Sequence, residues 1–257
     1  MTWIENAIYW LQFGPLRRGF RFFARRFLGR GNRILLGHAR GCIFAGADLP
    51  YRLGIYEIHV QHALARVLKR GAVFYDLGAN VGFYSLLGSK LVGDGGVVIA
   101  FEPSADNGLA LRSLCAANGV RNVQLISEAV TAVDGEARFA VGTNHAQNHL
   151  ANGQQAGSLK VRTLTLDRFT KIHPAPQVVL MDIEGAEFDA LRGARNMLSL
   201  PNAPAWIIEV HNPDTDSQIT ELFATSGYGL TTLLPPVLRA GRYPIHLLAE
   251  KPPVRVG

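Results

Sequence analysis

Asp76, Gly78, Gly82 and Glu102 carry the first chemistry that the chain shows. A short apolar run, 73–75, delivers Asp76, and the two glycines follow on either side of Asn80. Glycines at that spacing let the backbone turn sharply and approach a ligand closely. A second apolar run, 97–101, ends in Glu102 and Pro103. An acid about 20 positions past a glycine turn, at the end of the next strand, is placed to grip the two ribose hydroxyls of an adenosine. The dinucleotide fingerprint G-x-G-x-x-G is absent. A carboxylate beside the turn repels a pyrophosphate and attracts an ammonium group. The spacing therefore favours S-adenosylmethionine, which has an amino-acid end and no phosphate, over NAD. The structural alternative is that Asp76 caps the following helix and the glycines only make a turn. Farther on, the apolar run 178–181 delivers Asp182 and Glu184, and the run 205–208 delivers Glu209 and His211. Neighbouring parallel strands would present all four at one sheet edge, where ligands of such sheets bind.

The chain resembles the FkbM-type methyltransferases, a branch of the class I S-adenosylmethionine-dependent enzymes. The matching pieces are Gly54-Ile55-Tyr56-Glu57, Phe74 to Gly82, Ala100-Phe101-Glu102-Pro103, Thr165 to Phe169, Met181 to Glu187 and Ile208-Glu209-Val210-His211. They span roughly 54–211. The family usually has Lys where Met181 stands, so any role of that lysine is missing or supplied elsewhere. The resemblance implies that Asp76, Gly78, Asn80, Gly82, Glu102, Pro103, Asp182 and Glu184 border the cofactor. It also implies, by position alone, that Ser127, Glu128 and Ala129 contact the adenine. Tyr56 and Glu57 would reach the amino-acid end, although Glu57 also fits a plain first-turn helix acid.

The reaction so implied is methyl transfer to a hydroxyl, often of a sugar or polyketide. A hydroxyl is a poor nucleophile at neutral pH and needs a general base or a metal. His211 has the most suitable intrinsic pKa for a base, with Asp182 and Glu209 beside it. Asp182, Glu209 and His211 could instead hold Mg²⁺. The base is the preferred reading. The expected acceptor is a glycan or lipid-linked saccharide. Another small metabolite or RNA are alternatives, as is a cofactor-binding interaction protein without catalysis.

The elements that must position these residues alternate as strand and helix. Strands at 73–77, 97–101, 123–126, 178–181 and 205–208 are interleaved with helices at about 82–92, 105–118, 185–200 and 214–226, and a helix at 56–69 precedes them. This predicts a Rossmann-like, doubly wound α/β sheet, mostly parallel, closed by an antiparallel C-terminal hairpin of 229–233 and 245–248. Residues 137–141 and 159–166 read as a β-hairpin insertion within 131–170. Its polar loop, 142–158, holds His145 and His149 and reads as a lid over the acceptor. Residues 33–53 carry weak strand signals. The division expected is an N-terminal arm and lead-in, 1–53, and a catalytic domain, 54–257.

A chain of 257 residues can bury one large core. Its two cysteines, Cys42 and Cys115, have neither metal nor disulfide spacing, so a reducing cytoplasm is the expectation. No uncharged apolar run reaches the roughly 18 residues of a spanning helix, and the start lacks the pattern of a secretory signal. The charge is concentrated. Residues 1–40 hold eight arginines and one glutamate, a net of +7, against +6 for the whole chain. The remainder is therefore about neutral, which argues against a nucleic-acid footprint around the site. Residues 1–30 mix arginines with aromatics, as expected of a helical arm lying on the anionic inner face of a membrane. Packing of that arm on its own domain or on an oligomer partner is the alternative.

Overall fold

The structure, a computed structural model, describes residues 32–44, 48–140, 149–150, 158–233 and 244–252. The first 31 residues, with the arginine-aromatic arm, lie outside the described residues, as do His145 and the side chain of His149. The weak strand signals of 33–53 give a single bridge, Arg33 to Ile43, and a short helix α1 (Leu49–Leu53). Then come α2 (Ile58–Val67), β1 (Val73–Leu77), α3 (Phe83–Val92), β2 (Val97–Phe101), α4 (Ala105–Ala117) and β3 (Val123–Ile126). The next segment holds β4 (Ala129–Val130), β5 (Gly135–Ala140), β6 (His149–Leu150), β7 (Ser158–Leu164) and α5 (Leu166–Phe169). The chain finishes with β8 (Val178–Met181), α6 (Glu187–Arg192), α7 (Arg195–Ser199), β9 (Ala205–Val210), α8 (Pro213–Thr225), β10 (Gly229–Leu233) and β11 (Ile245–Glu250).

Seven strands form one sheet in the order β10-β11-β9-β8-β1-β2-β3. β3, β2, β1, β8 and β9 run parallel, and β11 lies antiparallel between β9 and β10. The expected doubly wound sheet and C-terminal hairpin are both present. Apart from Asp76 in β1 and Glu209 in β9, the central strands carry apolar or aromatic residues on both faces, because helices cover both. Tyr75 and Leu77 of β1 pack on one side with Trp206, Leu191 and Phe223, whereas Phe74 packs on the other with Leu64, Leu87 and Ile207. No helix among the described residues is long and apolar enough to cross a membrane.

Three details depart from the expected boundaries. The segment after β3 forms a small second sheet, β4-β7-β5-β6, in which β5 and β7 are antiparallel and β4 pairs parallel to β7. Leu166 and Phe169 at its end are buried in the main core, so α5 belongs to the scaffold. The single helix expected over 185–200 is two, α6 and α7. They meet at Gly193, where a Cβ would fall on the Thr131 carbonyl and no side chain fits. β9 also runs two residues farther than expected, so Glu209 is part of the strand and His211 follows it.

Candidate active site

Successive parallel strands end at the same edge, and the loops there enclose a cleft with about 580 Å³ of empty space, part of it open to solvent. Its walls include Gly78 after β1, Glu102 and Pro103 after β2, Glu128 and Ala129 around β4, and Asp182 and Glu184 after β8. Asn80 also lines it, held at φ 50 in the left-handed region that Asn tolerates. Gly78 has φ +80, and a Cβ there would collide with the Asp182 carbonyl. Glycine is what lets the loop after β1 press against the end of β8.

Glu102 is 4 % exposed and rigidly held. The Asn80 amide N–H donates to its Oε2 at 2.8 Å and the Ser104 amide N–H to its Oε1 at 2.8 Å. An ionised carboxylate can accept about four hydrogen bonds, so two amides orient the group without exhausting it. A carboxylate fixed in this way at the end of β2, beside bare backbone at Gly78 and apolar walls from Phe101, Val130 and Ile183, fits an adenosine. The sequence reading missed Phe101, Asn107, Val130, Ile183 and Ala186 as lining residues. Asn107 had a legible signal, a polar residue one turn into the helix that follows Glu102.

Several of the expected cofactor residues lie off the wall of this cleft. Asp76 does not line the cleft. Strand alternation turns it toward α3, where it is 1 % exposed and its Oδ2 accepts the Ser85 hydroxyl at 2.5 Å. Burial first, and Glu102 nearby, push its carboxyl up to about 7. Gly82 caps α3 and faces Leu111, and Ser127 is not on the wall either. Tyr56 stacks on Tyr51 with ring centroids 4.0 Å apart. Glu57 turns toward β9 and β11, where its Oε2 accepts the Tyr84 hydroxyl at 2.7 Å. α2 lies over that end of the sheet, which places both residues beside the acid–histidine cluster and off the cleft wall.

The Asp182, Glu184, Glu209 and His211 group does assemble. His211 Nε2 stands 3.4 Å from Glu184 Oε2, 3.6 Å from Asp182 Oδ1 and 3.8 Å from Glu209 Oε1. These separations exceed hydrogen-bond length, so Nε2 faces three carboxylates without bonding to one. The other ring nitrogen, Nδ1, is 2.8 Å from Oε1 of Glu187, a residue with no exposed surface. Glu187 also accepts the Gly185 amide N–H, which locks it at the start of α6. This partner was missed because it sits one helical turn past Glu184, on an element that only tertiary packing brings under β9. Burial lowers the His211 pKa, but the bond to Glu187 and the charges of Glu209, Glu187 and Glu184 outweigh it and raise the ring above its ordinary value. Asp182 is pushed well above the carboxylate range by burial, then by Glu209, Glu57 and Glu184. Burial acts on Glu209 in the same sense, yet His246 and His211 hold it below its usual value. Of the two acids, Asp182 is thus the one that holds a proton more readily than usual and Glu209 the one that gives it up more readily.

Residues 76–229, more than half of the chain, match the Methyltransferase FkbM domain. No curated protein sequence matches the chain. Among solved structures the fold is similar to precorrin-6y C5,15-methyltransferase from Geobacter metallireducens GS-15, with a TM-score of 0.51 and 15 % identity over 76 % of this chain and 88 % of that one. It is also similar to an rRNA methylase from Streptococcus thermophilus, with a TM-score of 0.50 and 15 % identity over 76 % and 96 % of the two chains. At such identity these likenesses show the fold.

Proposed function

The chain belongs to the FkbM methyltransferase family, a group of S-adenosylmethionine-dependent enzymes, and from that premise we propose that it methylates a hydroxyl of a saccharide. The observation that carries the proposal is the Glu187–His211 pair. Its Nδ1 is tied to a buried carboxylate, and its Nε2 is directed to Asp182 and Glu184, which also line the cofactor cleft. A hydroxyl must lose its proton as it attacks, and an oriented imidazole at the cofactor's edge serves that need. A neutral amine would not require it.

The cleft residues fit the cofactor. Glu102 would hold the ribose hydroxyls, and Phe101, Val130 and Ala129 would flank the base. When bound, S-adenosylmethionine supplies an electrophilic methyl carbon on a sulfonium. The chain's own residues do the rest. Glu187 fixes the His211 ring so that Nδ1 carries the hydrogen and Nε2 the lone pair. Nε2 takes the acceptor proton, and the ionised Glu209 beside it stabilises the imidazolium that forms.

The field at this edge supports an uncharged acceptor over RNA. Carboxylates of Glu102, Glu128 and Glu184 line the cleft, and no lysine or arginine does so among the described residues. Basic side chains Arg33, Arg40, Arg70, Lys90 and Arg121 gather instead around a separate cleft at the opposite ends of the strands. A polyanion would be repelled from the reactive edge. The arginine-rich residues 1–30 supply the second part of the proposal, a peripheral contact with an anionic membrane that presents a lipid-linked acceptor.

The test is transfer of labelled methyl to a panel of saccharides, small metabolites and RNA, with wild type and His211→Gln. Saccharide methylation that falls about 10²–10⁴-fold in kcat in the variant, with unchanged S-adenosylhomocysteine affinity, is the expected result. An unchanged kcat would remove His211 as the base. Transfer to RNA alone would overturn the acceptor class.

A further inference from the structure

We propose that Glu57, Glu209 and His246 form a binding site for a divalent transition-metal ion of the Zn²⁺ type, beside the proton-accepting histidine and distinct from it. Ligand atoms of the three lie within 4.8 Å of one another. The sequence reading grouped Asp182, Glu209 and His211 as the candidate metal set. The structure instead divides the acids and histidines of this edge into two groups that meet at Glu209. Asp182, Glu184 and His211 form the outer group, with the Glu184 side chain 34 % exposed and His211 committed to Glu187. Glu57, Glu209 and His246 form the inner one, in which Glu209 and His246 are buried.

Each inner ligand is delivered by a different device. Glu209 and His246 are direct register partners on β9 and β11, so their side chains rise from one face of the sheet. Glu57 precedes α2 at φ 40, a left-handed conformation that costs a non-glycine residue energy and is retained where the surroundings over-determine it. Its Oε2 accepts the Tyr84 hydroxyl at 2.7 Å, which fixes the carboxylate.

The second, independent observation is His246 itself. Its residue surface is 9 % exposed, and its Nε2 is buried with no hydrogen-bond partner among the described residues. That nitrogen lies 3.5 Å from Glu209 Oε2 and 3.7 Å from Glu57 Oε2. A shared proton would draw such atoms to about 2.7–3.2 Å. Ligands bound at about 2.1 Å with tetrahedral angles stand about 3.4 Å apart. The observed spacing suits an ion between the groups better than a proton. His246 Nδ1 is 3.1 Å from His59 Nε2, so a hydrogen on Nδ1 leaves the Nε2 lone pair facing both carboxylates. Among the described residues neither Glu57 nor Glu209 pairs with a lysine or arginine. A mixed imidazole–carboxylate set selects a transition ion over Mg²⁺. Three protein ligands leave one tetrahedral position for an oxygen. On the reading of this edge as the acceptor side, that oxygen is the acceptor hydroxyl, one carboxylate away from His211.

The test is calorimetric titration of chelator-stripped, full-length protein with Zn²⁺, with Co²⁺ absorption as a report on coordination number. One ion per chain with Kd of about 1 µM or tighter, and a four-coordinate Co²⁺ spectrum, are expected. Glu57→Gln and His246→Gln should each weaken binding at least ten-fold, and His62→Gln, whose Nδ1 lies 2.9 Å from His38 Nε2 and which is not among the three ligands, should not. Absence of a stoichiometric site in wild type, or binding indifferent to both ligand variants, overturns the proposal and leaves a protonated His246 between two carboxylates. S-adenosylhomocysteine binding is measured on the same samples. Its persistence without Zn²⁺ binding removes the metal site alone, and its absence with Zn²⁺ bound removes the cofactor reading alone.

Discussion

At the scale of single residues, the two acids of the glycine motif separate into different jobs. Glu102 lines the cleft, held by the Asn80 and Ser104 amides. Glu102→Ala should weaken S-adenosylhomocysteine by about ten- to a hundred-fold, about 1.5–3 kcal/mol, in a calorimetric titration. Affinity within two-fold of wild type would mean that the ribose is held elsewhere. Asp76 is a buried acid whose Oδ1 has no hydrogen-bond partner among the described residues. Its folded pKa, about 7, is above the ordinary value of 3.8. The folded state therefore holds that proton more tightly, so the stability it contributes is complete below about pH 4 and is lost as pH rises toward about 7. Asp76→Asn should flatten this part of a melting-temperature-versus-pH curve and gain up to about 4 kcal/mol at pH 8. Parallel curves for the two proteins would show that Asp76 is ionised and solvated.

At the scale of elements, one family motif proves to be scaffold. Thr165 accepts the Arg168 amide and starts α5, and the Asp167 carboxylate accepts the Asn196 and Met197 amides at 2.9 Å each. Asp167 thus caps the first turn of α7 from a distant segment, which holds the elbow at Gly193 and with it α6 and Glu187. Loss of an N-terminal cap costs about 0.5–2 kcal/mol. Asp167→Ala should lower urea stability by that amount and leave S-adenosylhomocysteine affinity unchanged. A loss of affinity with normal stability would place Asp167 in the site instead. The sequence motif carries no mark of this role, because a cap supplied across some 30 residues has no local signature.

At the scale of the whole molecule, the positive charge is concentrated in the first 40 positions of the sequence. The net +7 of residues 1–40 precedes a body whose reactive edge is acidic. Arginines near an anionic bilayer contribute about 1 kcal/mol each, screened by salt. Full-length protein should float with anionic vesicles at low salt, and deletion of residues 1–30 should abolish flotation. Equal flotation of both proteins would assign membrane contact, if any, to the body.

The sequence by itself determined the sheet, the edge at which its strands end and the family. In a parallel α/β chain every strand ends at the same edge, so reading Gly78, Glu102, Asp182 and His211 at strand ends is enough to place them together. Period and spacing are local, and local signals survive in one dimension. Only the tertiary structure decided which groups touch. Pleat alternation within β1 took Asp76 off the cleft, and insertion of β11 between β9 and β10 set His246 opposite Glu209. Helix packing brought Glu187 beneath His211. These contacts depend on register and on which face of an element is turned inward. Both are fixed by burial of the whole core, and neither is written in the residues that meet.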